Sequence, residues 1–144
     1  VLDAAGIPHK DAAYTGITAC LDSGKPGPNI GLIAEFDAVP TLGHPYAHEG
    51  DWAAHTCGHY AQLGVMMSLF LAIKESGMLD ELCGRVTLLV TPGEEFCDMD
   101  YRKGLIAEGK IHHPSGKQEM ITAGVFDDID IMLSCHAMGL DIEK

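Results

Sequence analysis

Two imidazoles and a thiol fall within the five residues His55-Thr56-Cys57-Gly58-His59. Thiolate and neutral imidazole are the donors preferred by zinc and neighbouring divalent transition metals, so this segment is a candidate metal turn. Taken alone it has an ordinary alternative, a surface cysteine flanked by two histidines. The balance moves because Asp37, the pair Glu94-Glu95 and His136 each follow an apolar run and could serve the same site. Each has its own dull explanation: a turn aspartate, a solvated acidic pair, a hydrogen-bonded histidine. Jointly, they make a stronger case than any one of them.

The elements that must position these residues can be read from hydrophobic patterning. Residues 30–36 are apolar until Glu35 and predict a strand covered on both faces, with Asp37 at its carboxyl end. Residues 85–91 predict a second buried strand, ending at Pro92-Gly93-Glu94-Glu95. Between them, residues 61–76 predict a helix, apolar nearly all round and so expected to be buried, with Gly77 as its C′ residue. A helix joining two such strands implies a right-handed crossover with the strands parallel. Residues 129–135 predict a third buried strand, ended by His136. Ligands of open α/β sheets bind beyond the carboxyl ends of the strands, so all the candidates are expected on one edge.

The remaining segments are less informative. Residues 1–6 read as the last turn of a helix, and residues 13–21 as a strand followed by a tight reversal over 22–29, rich in Asp, Ser, Gly, Pro and Asn. Residues 98–108 and 118–123 predict short helices closed by Gly109 and Gly124. The long loop 38–56 has no periodicity, which inside a compact domain usually signals function. Its His44 and His48 stay unassigned, and His112-His113 are expected in an exposed polar loop.

A net charge of −12 argues against nucleic-acid or anionic-membrane partners, which require a basic face. Five cysteines, an odd number without regular spacing, do not form a disulfide framework and point to a reducing, cytoplasmic setting. Cys20, Cys83 and Cys135 adjoin apolar runs, where a free cysteine behaves as a small hydrophobe. No signal peptide is visible, and the most apolar run, 61–73, is shorter than the roughly 20 residues that span a bilayer. At 144 residues the chain is one domain in size, yet it opens without Met and is expected to be the N-terminal portion of a longer catalytic domain.

The set Cys57, His59, a glutamate and His136 supplies metal donors, and carboxylates are left over. A structural zinc site is closed by four protein ligands, whereas a hydrolytic site keeps an open position and needs a base. Adjacent residues in extended chain point to opposite sides, so one of Glu94-Glu95 can bind metal while the other faces the pocket. Asp37 is expected behind a ligand, orienting it.

Taken in order, Ala34-Glu35-Phe36-Asp37-Ala38-Val39-Pro40, His55-Thr56-Cys57-Gly58-His59, Pro92-Gly93-Glu94-Glu95 and His136 resemble the motifs of the M20 metallopeptidase and amidohydrolase family. The nearest branch is the aminoacylase-like one of aminobenzoyl-glutamate and indoleacetyl-amino-acid hydrolases. The resemblance implies a three-layer α/β sandwich with a mostly parallel central sheet, a two-metal centre binding Zn or Mn, and an inserted lid or dimerisation domain. It implies Cys57, His59, Glu95 and His136 as metal ligands, Glu94 as general base and Asp37 as the residue that orients a ligand. Glu35 stands where other branches carry a metal-binding His, and Tyr60 where Asp or Asn is usual. The segment 98–116 is longer than in most relatives, and the family's last ligating His and lid lie beyond this sequence. A homodimer through that lid is implied for the full-length protein.

The reaction implied is hydrolysis of an amide bond in an N-acyl-amino-acid or aminoacyl-type small substrate. Metal lowers the pKa of a bound water from 15.7 to about 7, and Glu94 shuttles its proton to the leaving amine. Two alternatives stand beside it. One is a metal-binding relative or fragment with an incomplete bimetal site and no catalysis. The weaker one is a cysteine hydrolase using Cys57 with His59, which leaves Glu94, Glu95 and His136 without a role.

Overall fold

The computed structural model describes residues 1–137. A helical turn opens the chain, with the Ala5 amide donating to the Val1 carbonyl and Gly6, at φ 63°, ending it. In chain order the elements are β1 (His9–Ala12), β2 (Gly16–Asp22), β3 (Asn29–Glu35), β4 (Val39–Pro40), β5 (Ala53–Ala54) and α1 (His59–Glu75). After a 3-10 turn at Met78–Asp80 come β6 (Arg85–Thr91), α2 (Met99–Ala107), α3 (Gly116–Thr122) and β7 (Ile131–Leu133).

The main sheet has the order β1-β2-β6-β3-β7. β3 pairs in parallel with β6 and β7, and β2 is antiparallel to both β1 and β6. Only β2 therefore opposes the common direction, and the sheet is mostly parallel as expected. The crossover β3-α1-β6 joins neighbouring parallel strands. Its register sets Glu35 opposite Thr91, so Asp37 and the 92–95 turn leave the sheet at the same edge.

Two helices cover opposite faces and complete three layers. On one face Leu32 and Ala34 of β3, Leu88 and Val90 of β6 and Ala19 and Leu21 of β2 form a core with Met66, Phe70 and Ile73 of α1. On the other, Thr91 donates its hydroxyl to the Met120 sulfur of α3, and Lys117 of α3 reaches Glu35. Alternation along each strand sends odd and even residues to different helices, which is why these strands read as unbroken apolar runs.

Four expectations need correction. Residues 13–21 are not one strand, because Ala13 and Tyr14 sit at φ 51° and 72° in the turn of a β1–β2 hairpin. Such a turn normally announces itself with glycine or asparagine, and here it does not. The 22–29 segment does reverse the chain, but β6 lies between β2 and β3, so it is a crossover and not a tight hairpin. α1 is buried on one stripe only, leaving Val65 and Leu69 exposed, because among the described residues it has the sheet on a single side. β7 is exposed for the same kind of reason, as an edge strand with β3 as its one described neighbour.

The cysteines divide differently from expectation too. All five are free, but Cys20, Cys83 and Cys135 are exposed and do not act as core hydrophobes. Cys20 lies on β2 with its side chain outside the packed stripe, where strand alternation puts it. The loop 38–56 is not wholly irregular: β4 and β5 pair as a short antiparallel ribbon at its two ends.

Candidate metal centre

Gly58 precedes α1 with φ 99°, a left-handed conformation that side chains rarely adopt, and a Cβ there would come 3.2 Å from that of Ala137. Glycine thus lets the Cys57-His59 turn lie directly against the segment that carries His136. His59, the first residue of α1, is 2% exposed. Its Nδ1 lies 2.8 Å from Asp37 Oδ1 and 3.4 Å from the Asp37 carbonyl. Both neighbours are acceptors, which puts the proton on Nδ1 and leaves the Nε2 lone pair facing the cluster. The second Asp37 oxygen accepts the Glu95 amide at 2.9 Å.

Cys57 Sγ donates to Glu95 Oε1 at 2.8 Å and lies 3.9 Å from His136 Nε2. The His59 and His136 rings meet edge to face with centroids 5.5 Å apart. Among the described residues, two overlapping trios offer converging donor atoms: Cys57, His59 and His136, and His59, Glu94 and Glu95. Within each trio the atoms lie within 4.8 Å of one another. One sulfur, imidazole nitrogens and carboxylate oxygens, gathered from separate segments, make a donor set that fits divalent transition ions.

The hydrogen bond to Glu95, then burial, then the charges of Glu95, Glu94 and Asp37 push the Cys57 thiol up to about 11. Attacking cysteines lie in electropositive surroundings with depressed pKa values, and Cys57 has the opposite environment. The cysteine-hydrolase alternative therefore loses its physical basis.

Extended chain would send the adjacent glutamates to opposite sides; instead both carboxylates converge on one pocket, within 4.8 Å of each other and of His59, and differ in their neighbours. Glu95 turns to Cys57, while Glu94 places Oε2 3.9 Å from His59 Nε2 and Oε1 3.5 Å from Lys117 Nζ. A pocket of about 320 Å³ opens between these side chains. The turn that carries them is clamped from α2, where Arg102 Nη1 donates to the carbonyls of Gly93 (3.1 Å) and Pro114 (2.9 Å).

Lys117 and Gln62 are not singled out by the sequence, and Glu35 stands out there only for replacing a histidine of other branches. Glu35, 4% exposed, contacts Lys117 Nζ at 2.6 Å. Burial alone would raise the Glu35 pKa, but the hydrogen bond and charge of Lys117, with smaller help from Gln62 and His59, together outweigh it and hold the carboxyl below its ordinary value. Burial likewise works against the Lys117 ammonium, and Glu35, followed by Glu94, more than offsets it through hydrogen bonding and charge, raising its pKa. Gln62 links two strand ends, accepting the Glu35 amide at 2.7 Å and donating to Ser134 at 3.1 Å. A lone charge closing an apolar run, as at Glu35, is the one hint that a buried partner exists.

The other histidines stay outside both trios. His48 contacts Asp51 and His44 packs its ring edge against Tyr46 in the 38–56 loop. His112 is exposed and contacts Glu119, which also accepts the His113 amide. Tyr60 is exposed on the first turn of α1.

A mostly parallel α/β sheet with metal-donor residues gathered at its carboxyl edge defines the class of protein, and sequence comparison specifies the relatives. The chain is 29% identical over 136 residues to indole-3-acetyl-aspartic acid hydrolase of Enterobacter agglomerans, an alignment covering 88% of this chain and 27% of that protein. It is 28% identical over 138 residues to a p-aminobenzoyl-glutamate hydrolase subunit of Escherichia coli strain K12, again covering 88% of this chain and 27% of the other. Among solved structures, a dinuclear metal binding peptidase from the M20 family of Bacillus subtilis superposes with a TM-score of 0.71 at 22% identity, over 95% of this chain and 35% of that one. No protein-family model matches the chain. The resemblance read from the motifs is borne out: the chain is similar in sequence to indole-3-acetyl-aspartic acid and p-aminobenzoyl-glutamate hydrolases and shares its fold with a peptidase of the M20 family. It spans about 27% of the length of the two curated relatives.

Proposed function

We propose that this chain carries most of the catalytic centre of an enzyme that hydrolyses the amide bond of N-acyl-amino-acid or aminoacyl-type small substrates. The observation that supports this most directly is the convergence of Cys57, His59, Glu95 and His136, with Glu94 beside them facing a pocket. Those four residues would hold divalent cations, two in the complete site, with Zn or Mn the candidates. Bound there, the cations supply Lewis acidity to the substrate carbonyl and acidity to water.

The chain's own residues do the rest. Asp37 fixes the His59 ring and the Glu95 backbone together, so the donors keep their mutual placement. Glu94 takes the proton of the attacking water and passes it to the leaving amine, a role worth about 10²- to 10⁴-fold in rate. Lys117 Nζ lies beside one Glu94 oxygen and holds the base at the pocket wall, while the other oxygen lies 3.9 Å from His59 Nε2. The relatives act on amino-acid conjugates, as their names say, which motivates the substrate class. The free cysteines favour a cytoplasmic setting, and among the described residues no helix is long and apolar enough to cross a membrane.

The test uses the full-length protein with Glu94→Gln, assayed against indole-3-acetyl-aspartate, p-aminobenzoyl-glutamate and N-acetyl amino acids. Turnover should fall at least about 10²-fold with metal content unchanged. Wild-type turnover in this variant would exclude Glu94 as the base.

A further inference from the structure

The cluster of acids and neutral donors contains one ammonium, and its placement is specific. Lys117, on the first turn of α3, lies 2.6 Å from Glu35 Oε1 and 3.5 Å from Glu94 Oε1. Glu35 is 4% exposed, and its second oxygen is buried with no hydrogen-bond partner. A carboxylate removed from water must be paired, and among the described residues Lys117 is the cation that pairs it. The ammonium is thereby anchored from the sheet side, and its remaining reach is toward Glu94.

Glu94 needs such a restraint. Its side chain is 36% exposed, it follows Gly93 at φ 53°, and its other oxygen lies 3.9 Å from His59 Nε2 without a hydrogen bond among the described residues. A glutamate with free torsions spends much of its time out of line with the bond it must serve, and a misplacement of about 1 Å can cost about 10²-fold in rate.

We propose that Lys117 is a positioning residue for Glu94: pinned by buried Glu35, it holds one Glu94 oxygen so that the other faces the His59 side of the pocket. The role rests on the reading of Glu94 as general base. It also assigns Glu35 a purpose, as the buried anchor of the lysine in place of a metal ligand. With two carboxylates already around it, the ammonium is committed within the protein and is not left open to bind an anionic substrate group.

The experiment is steady-state kinetics of the full-length protein, on whichever of those three substrate types it turns over best, for Lys117→Met, Lys117→Arg, Glu94→Gln and the Lys117→Met/Glu94→Gln pair. Lys117→Met should lower kcat about 10²-fold with KM and bound metal per chain nearly unchanged, and Lys117→Arg should recover kcat to within about tenfold of wild type. In the Glu94→Gln background, Lys117→Met should cost less than about threefold, because the group it positions is gone. An equal loss in both backgrounds, or a rise in KM alone, overturns the proposal, the latter making Lys117 a substrate contact.

Should Lys117→Met fail to fold, Glu35→Gln/Lys117→Met removes the stranded buried charge and must show the same kcat loss. Wild-type kcat in that variant overturns the role. Full activity of Glu94→Gln sinks the general-base reading itself, whereas an inactive Glu94→Gln without coupling to Lys117 sinks the positioning role alone.

Discussion

Asp37 joins His59 to Glu95: one carboxylate oxygen lies 2.8 Å from the imidazole Nδ1, and the other accepts the Glu95 amide at 2.9 Å. Two segments distant in sequence are thus fastened by a single side chain at the carboxyl edge of neighbouring strands. Asp37→Asn keeps the shape but loses the charge that favours the Nδ1-H tautomer. It should weaken metal binding about 10- to 100-fold, read by competition with a chelator, while the far-UV spectrum stays native. Wild-type affinity would show that the contact is merely structural.

The thiol of Cys57, pushed up to about 11 by Glu95, burial and the surrounding carboxylates, is almost fully protonated near neutrality. In metal-stripped protein, iodoacetamide at pH 8 should label Cys57 far more slowly than the exposed Cys20, Cys83 and Cys135. Labelling should accelerate as pH approaches 11, and Glu95→Gln should hasten it at pH 8. Peptide mapping by mass spectrometry separates the sites, and fast labelling of Cys57 at neutral pH would contradict the assignment.

The Glu35–Lys117 pair also sets a pH window for stability. The Glu35 carboxyl is held below its ordinary value of 4.5, so its contribution is present above that value and is lost as pH falls through the folded one. The Lys117 ammonium is held above 10.5, so its contribution is complete below that value and is lost as pH rises further. Lys117 is 39% exposed, and solvent screening reduces the interaction, so Lys117→Met should cost about 1–3 kcal/mol at pH 7. Glu35→Gln/Lys117→Met should recover part of this and flatten the dependence of Tm on pH at both ends.

Arg102 bridges the Gly93 and Pro114 carbonyls through one nitrogen and so holds the turn that bears Glu94. Arg102→Ala should destabilise the protein by about 1.5–3 kcal/mol in urea unfolding, the usual range for hydrogen bonds to a charged group. Arg102→Lys should restore only part of that, since a shorter, strongly hydrated ammonium replaces the planar fork.

The parts of the site legible in the sequence are those announced by local chemistry. Cys57-Gly58-His59 declares its donors within one turn, and the apolar runs before Asp37, Glu94 and, more weakly, His136 mark strand ends that the parallel register then brings to one edge. Lys117 is hidden because a lysine at the start of a short helix looks solvated, and its partner Glu35 is supplied by a strand far away along the chain. The β1–β2 hairpin is hidden because Ala13 and Tyr14 adopt positive φ without the residues that favour it. The exposed sides of α1 and β7 escape the pattern because an apolar run records a preference for dry surroundings and does not say what provides them.

His59 belongs to both donor trios, yet the nitrogen it turns to the cluster has a single lone pair. One imidazole cannot be divided between two cations, whereas a thiolate or a carboxylate can span them. Through that nitrogen His59 would hold one cation alone, whereas the sulfur of Cys57 and the acidic oxygens beside it each keep more than one lone pair to offer.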